Sequence, residues 1–360
     1  MRVAVMSYAM LFQTTGGLPM KIPRTIKALQ SRGVDAQLID PFRDRIRDYD
    51  LVHVFAANNS NHRIVQMAKE FGKPVVLSTI MNPPFTRFEG QRARLLTLLT
   101  RRLSKWEVTT SYQQVVDALE AADHLVTLGN AERRMLIEGY GARPEKISIV
   151  HNGIGEEFFS ASAEPFRRYY GIDGPFVLHT GWIGEVKNQL GLVRALKGTG
   201  VKVVLVGHAG TASAEYLQTC LREGGDQVRH LGEMAHGELM ASACAASRVV
   251  AIPSRHEGMP NSVLEGLASD RPVVLTSNHS IDFPLPREVT AEVGADDLDA
   301  IRDSVLRFWR DPPQPGRARS VVTHLSWDAV AEKLMAIYAS LVAPGHVETA
   351  QTAQCGPPSA

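Results

Sequence analysis

Short apolar, β-branched runs alternate with longer helix-like stretches along almost the whole chain. This alternation constrains the fold more than any other feature. The first series of runs is Val3–Met6, Ala36–Ile39, Leu51–Phe55, Pro74–Ser78, His124–Thr127 and Lys146–Val150. The second is Phe176–Thr180, Lys202–Val206, Val228–Leu231, Arg248–Ile252, Pro272–Leu275 and Ala291–Val293. Helix-like segments between them include Leu18–Ser31, Ser60–Phe71, Ala131–Gly139, Lys187–Lys197, Leu239–Ala246 and Asn261–Ala268. Strands alternating with helices predict parallel sheets covered on both faces. The expected class is α/β, with two doubly wound, Rossmann-like domains. An eight-fold barrel would use one continuous cycle of about 250 residues, and the 360-residue chain is too long for that without a second unit.

The expected domains are residues 1–155 and 156–325. The break falls near His151-Asn152-Gly153-Ile154-Gly155, where Asn-Gly and a second Gly punctuate the pattern. Asp311-Pro312-Pro313-Gln314-Pro315-Gly316 interrupts structure again, before an amphipathic helix over Trp327–Leu341 that accounts for residues 326–342. Residues 343–360 carry no periodicity and are expected to be disordered.

Charge and cysteine content narrow the function classes. Lys+Arg is 39 and Asp+Glu is 38, a net charge of +1, so no global field points to nucleic acid. Cys220, Cys244 and Cys355 are widely spaced and odd in number, which gives no zinc pattern and no disulfide framework. That usage fits a reducing cytoplasm. No apolar run approaches the ~18 residues of a spanning helix. Val3–Phe12 superficially resembles a signal peptide, but Ser7 and Tyr8 interrupt it and no small-x-small site follows. A buried first strand explains it better.

Three segments point to chemistry. The richest is Pro253-Ser254-Arg255-His256-Glu257-Gly258-Met259-Pro260-Asn261-Ser262, continuing to Glu265. It follows a strand and opens a helix that Asn261 or Ser262 can cap, and the free N–H groups there form an anion site. Glu257 and Glu265 lie about two turns apart and can face one cleft, accepting hydrogen bonds from sugar hydroxyls. Read alone, each acid is as easily a solvated residue of a helix start. The second segment, Thr180-Gly181-Trp182-Ile183-Gly184-Glu185-Val186-Lys187-Asn188, ends the first strand of the second domain, where open α/β folds bind ligands. A Lys there can neutralise a diphosphate. The third, Thr14-Thr15-Gly16-Gly17-Leu18, follows the first strand and matches neither nucleotide-loop fingerprint.

Together these segments resemble the retaining GT-B glycosyltransferases, specifically glycosyltransferase family 4. The resemblance runs from Gly16-Gly17 to the Ser326-Trp327 helix. It rests on Glu257 and Glu265 within Pro-Ser-x-x-Glu-Gly-x-Pro, the Asn152-Gly153 hinge and the Gly181…Lys187-Asn188 loop. It implies two domains facing across a cleft, with the last helix returning to the first domain. It implies a nucleotide-sugar donor, UDP- or GDP-linked, and transfer with retention. The acceptor would be a glycan, a lipid-linked sugar or a small molecule, in cell-surface polysaccharide or glycoconjugate synthesis. By resemblance Lys187 holds the diphosphate, Glu265 the ribose and Glu257 the transferred sugar. Gly258, Met259, Pro260, Asn261 and Ser262 contact sugar and phosphate. Gly16 and Gly17 close over the diphosphate, and Leu231, Gly232, Glu233 and Met234 flank the base. No metal or other cofactor is implied.

Two departures stand out. The family's Arg after the first Gly of the Lys loop is Trp182 here, which makes Arg255 the expected replacement. Many members also carry a His after the fourth strand, where this chain has Thr79-Ile80-Met81-Asn82-Pro83-Pro84. Asp48-Tyr49-Asp50 mimics a metal-binding Asp-x-Asp but reads as a polar turn before a strand. His53 and His151 read as structural. Arg87–Glu107 mixes Arg87, Arg92, Arg94, Arg101, Arg102 and Lys105 with five leucines and Trp106. That segment fits either peripheral membrane contact or a long helix with its leucines on the sheet. Two competing functions remain: a GT-B sugar-nucleotide epimerase, and a non-catalytic two-domain sugar-nucleotide binder. A pyridoxal-type phosphorylase would need a far longer chain.

Overall fold

The computed structural model describes residues 1–13, 17–81, 85–103 and 109–342. The expected disordered tail, 343–360, lies outside the described residues. All twelve expected strands are present. The first sheet contains β1 (Arg2–Met6), β2 (Asp35–Leu38), β3 (Leu51–Phe55), β4 (Val75–Ser78), β5 (His124–Thr127) and β6 (Ile147–Ile149). The second contains β7 (Val177–Thr180), β8 (Val203–Val206), β9 (Val228–His230), β10 (Val249–Ile252), β11 (Val273–Thr276) and β12 (Thr290–Val293). Every pairing is parallel. Central strands such as β3, β8, β10 and β11 are buried along their whole length, because helices cover both faces.

Strand order places the site. The first sheet runs β2-β1-β3-β4-β5-β6 and the second β12-β11-β10-β7-β8-β9. The winding reverses beside β1 in the first sheet and between β7 and β10 in the second. Ligands of open α/β sheets bind outside the carboxyl ends of strands at such switch points. The loops that leave β1, β7 and β10 are the three segments singled out by sequence.

The chain crosses between the sheets twice, side by side. Ile154 N–H donates to Leu325 O at 2.7 Å, and Ile154 bridges Ser326 in parallel. The second crossing leads into the helix Trp327–Val342, which buries Val330, Ala331, Leu334 and Tyr338 against the Gly17–Ser31 helix and the first sheet. The Tyr338 hydroxyl lies 2.6 Å from His53 Nδ1, and His53 Nε2 lies 2.8 Å from Ser78 Oγ. Burial pushes the His53 imidazole down to about 3, so it is a neutral core group, as its strand position suggested. Asp50 accepts from Arg2 N–H at 2.7 Å, and Arg2 also donates to Asp48 O. The Asp-x-Asp mimic is therefore a strand-edge turn.

Tyr338→Phe removes one partner of a fully buried imidazole. Urea denaturation is expected to show a loss of about 1–3 kcal/mol. An unchanged midpoint would mean that the returning helix is held by its apolar face alone.

Candidate active site

The loop after β7 presents Lys187. It was expected to start a helix, but the helix begins later, at Gln189, because Asn188 adopts a left-handed conformation at φ 56°. Asparagine tolerates that region better than most residues. The Asn188 amide donates to Pro253 O at 2.9 Å and Ala295 O at 2.7 Å, tying this loop to the end of β10. Gly181 sits at φ 143°, and a Cβ there would lie 3.6 Å from the Lys187 stem, which runs across it. Gly207 backs this arrangement: a Cβ would meet Gly181 O at 1.8 Å, so only glycine fits. His179 donates through Nε2 to Lys187 O at 3.1 Å. Burial lowers its imidazole to about 4, leaving it neutral.

Lys187 Nζ reaches Glu257 Oε1 at 2.6 Å, and Ser254 Oγ donates to the same oxygen at 2.6 Å. Glu257 is buried and lies in the loop before the helix rather than on it. Its N–H donates to Asn278 O at 3.0 Å. The sequence thus brings an ammonium and a carboxylate from two switch-point loops into one ion pair.

The helix Asn261–Ala268 opens beside that pair. Pro260 occupies the N-cap, and no side chain caps the helix. This corrects the expectation that Asn261 or Ser262 would do so. Ser262 Oγ instead donates to Thr180 O at 3.2 Å, and Asn261 Oδ1 accepts from Asn152 Nδ2 at 3.0 Å. The helix start therefore has no side-chain cap, and a helix dipole favours an anion there. Glu265 is buried on this helix, 2.6 Å from His236 Nε2. His236 Nδ1 lies 3.1 Å from Arg24, which also binds Glu157.

The first domain faces this constellation with the start of its Gly17–Ser31 helix. A Cβ on Gly17 would lie 3.9 Å from Asn261 Nδ2, so two helix starts meet across the seam. Gly16, Thr14 and Thr15 lie outside the described residues. Lys21, one turn into that helix, donates to Asn152 Oδ1 at 3.0 Å. Lys21, Arg24, Asn152, His236, Asn261 and Glu265 line one narrow cavity. Sequence reasoning missed Lys21, Arg24 and His236, whose partners are distant in the chain.

Other expected residues lie elsewhere. The Arg255 guanidinium binds Asp296 at 3.0 Å and lines a separate cavity with Glu185, Arg194 and Tyr216. The Trp182 indole covers Gly184 and is half exposed. Leu231–Met234 follows β9; Gly232 O accepts from Gly207 N–H at 2.8 Å, and Met234 is buried in the second core. Where a His would follow β4, Thr79 Oγ1 donates to the buried Glu132 at 2.6 Å and Met81 N–H to the same oxygen at 2.7 Å. Asn82, Pro83 and Pro84 lie outside the described residues. His151 pairs with Asp282 at 2.8 Å, a structural contact between the domains.

Residues 16–158 match the family model described as Glycosyltransferase Family 4, and residues 174–311 match Glycosyl transferases group 1. D-inositol 3-phosphate glycosyltransferases of Mycobacterium tuberculosis strain H37Rv and Mycobacterium bovis strain ATCC BAA-935 / AF2122/97 are each 29% identical over 248 residues. Those matches cover 64% of this chain and 50% of the relative, so the chain spans about half the length of the curated relatives it matches. Among solved structures, sucrose-phosphate synthase from Thermosynechococcus elongatus aligns with a TM-score of 0.73 at 17% identity, covering 95% of this chain and 99% of the other. Anabaena HepE in complex with UDP aligns at 0.68 and 14% identity, covering 95% and 100%. Two six-stranded parallel sheets with these neighbours make the fold GT-B, and the two family models cover most of the sequence. The chain belongs to glycosyltransferase family 4.

Proposed function

We propose that this chain transfers a sugar from a nucleotide-diphosphate sugar to an acceptor, with retention at the anomeric carbon and without a metal ion. The observation that carries this reading is the meeting of the Lys187–Glu257 pair, the Asn261 helix start and Glu265 with the Gly17 helix start across one seam. HepE, a structural neighbour, binds UDP, and this supports a uridine diphosphate leaving group here; a guanosine diphosphate is the other donor the proposal admits. Glu265 accepts from the ribose hydroxyls, and Leu231–Met234 flank the base. Lys187 and the two helix starts face the diphosphate, while Glu257 accepts from hydroxyls of the transferred sugar.

The bond between the anomeric carbon and the diphosphate oxygen breaks, and negative charge develops on that oxygen. Fixed donors already aimed at it lower the barrier without reorganising. The acceptor hydroxyl attacks from the face the diphosphate leaves. Its oxygen bonds to the anomeric carbon, and its proton passes to the departing diphosphate. Glu257 is engaged by Lys187 and Ser254, which suits a positioning carboxylate rather than a covalent nucleophile. The acceptor enters from the first domain and is a glycan, a lipid-linked sugar or a small molecule.

One assay tests this scheme. UDP- and GDP-sugars are incubated with and without a panel of acceptors, in EDTA, and the product anomer is read by NMR. Acceptor-dependent transfer with retention and a nearly intact rate in chelator is the expected outcome. Acceptor-free interconversion of the donor would make the chain an epimerase, binding without turnover a non-catalytic binder. Rescue by magnesium or manganese alone would contradict the metal-free scheme.

We also propose that the helix Arg87–Leu103 lies on an anionic lipid surface. Phe88, Leu95, Leu96, Leu98 and Leu99 are exposed, between 50% and 65%, so these leucines do not cover the sheet. Phe88, Arg92, Leu95, Leu99 and Arg102 recur at helical spacing along one stripe, and its exposed arginines complement acidic headgroups. Lys105, Trp106 and Glu107 lie outside the described residues. Among the described residues no helix is long and apolar enough to cross a membrane. Co-sedimentation with vesicles containing phosphatidylglycerol, but not with pure phosphatidylcholine, is expected, and Leu95→Ser/Leu99→Ser should abolish it. Equal partition to both vesicle types, or a dimer lost in the same variant, would overturn the lipid reading.

A further inference from the structure

The cations near the seam are mostly spent. Lys187 is paired with Glu257 at 2.6 Å, Arg24 with Glu157 at 2.5 Å and Arg255 with Asp296 at 3.0 Å. Trp182 brings no charge to the position where the family places an arginine. A leaving diphosphate carries more than one negative charge, and a single paired lysine cannot balance it.

Lys21 differs from these three. It lies one helical turn beyond Gly17, so the two share a face. It is only 8% exposed. Its Nζ donates to the neutral amide oxygen of Asn152 at 3.0 Å, and no ion pair engages it among the described residues. Asn152 in turn donates to Asn261 Oδ1 at 3.0 Å and to Met259 O at 3.4 Å. The ammonium therefore stands one amide away from the helix start that faces the diphosphate. A buried ammonium that lacks a contacting anion is costly unless something else requires it.

We propose that Lys21 is the second cation of the diphosphate site, contributed by the first domain across the seam and selecting nucleoside diphosphates over monophosphates. This rests on the donor reading given above. On closure, Lys21 exchanges or shares Asn152 for an oxygen of the diphosphate. The seam then shuts most firmly on a ligand that carries that group.

The charge environment gives the inference a pH signature. Burial lowers the Lys21 ammonium to about 8, opposed by the nearby Glu132. Glu132 is itself pushed up by burial, and its oxygens already accept from Thr79, Met81 and Leu128. His53, on the strand behind, is neutral. Arg24, His236 and Glu265 share the cavity, the first held by Glu157 and the other two by each other. On the returning helix, Tyr338 is bound to His53, while Asp328 and Glu332 pair with Arg32 at the surface. A bound diphosphate stabilises charged Lys21 and raises its pKa. Binding above pH ~8 then takes up a proton, and affinity falls as pH rises through this range.

Calorimetry on the full chain with UDP, GDP and UMP tests the inference. Lys21→Gln keeps a donor for Asn152 but removes the charge. It should weaken diphosphate binding on the order of tenfold to a hundredfold and leave UMP nearly unchanged. Its affinity should also become flat between about pH 7.5 and 9.5, where the native chain shows a decline and buffer-dependent proton uptake. A folded Lys21→Gln that keeps the native preference for diphosphate overturns the proposal. If the variant does not fold, a pH-independent diphosphate affinity in the native chain overturns it equally. Glu265→Ala serves as the separate check on the donor reading, and should weaken UDP and UMP alike. If it weakens neither, or if the native chain binds no nucleotide, the donor reading itself fails and takes this inference with it.

Discussion

One amide joins the two halves of this protein at the candidate site. Asn152 accepts from Lys21 of the first domain and donates to Asn261 and Met259 of the second. It lies at the chain crossing, so the same short segment that connects the domains also sets their approach. The consequence is geometric. Two helices, one from each switch point, begin close to one another across the seam. A helix start favours an anion modestly, and the ammonium groups of Lys21 and Lys187 add to that preference. The Lys187–Glu257 and His236–Glu265 pairs satisfy the donors and acceptors that a ligand would otherwise occupy.

This arrangement explains how the site can work with few residues. Gly181 supplies the φ of 143° with which the loop turns beneath the Lys187 stem, Gly207 leaves room for Gly181, and Asn188 locks the loop to the end of β10. None of these groups needs to touch the substrate. They hold Lys187 in place; in the proposed transfer, little reorganisation would then remain as charge develops on the leaving group. Trp182 and the Thr79–Met81 segment mark where this chain departs from the family's pattern.

Much of the architecture was legible in the sequence because the strands are buried on both faces. Runs such as Val203–Val206 and Val249–Ile252 are continuous and apolar, and the expected strands follow them closely. The loops after β7 and β10 were legible because glycine, proline and charged residues follow those strands directly. The other side of the cleft was not. Lys21 reads as one polar residue of an amphipathic helix, and local periodicity cannot say that its face meets a second domain. His236 sits in a loop, and its contact with Glu265 spans 29 residues of chain. Arg255 is the converse case. Its position beside Glu257 suggested a shared site, but the backbone turns its guanidinium towards Asp296. Asn261 was misread for a related reason. Its side chain serves the other domain rather than its own helix.

The most direct test is a crystal structure of the chain with UDP bound. The account predicts a diphosphate between the Gly17 and Asn261 helix starts, within reach of Lys187, and a ribose on Glu265. A diphosphate bound instead in the separate cavity beside Arg255, Asp296 and Tyr216 would contradict it.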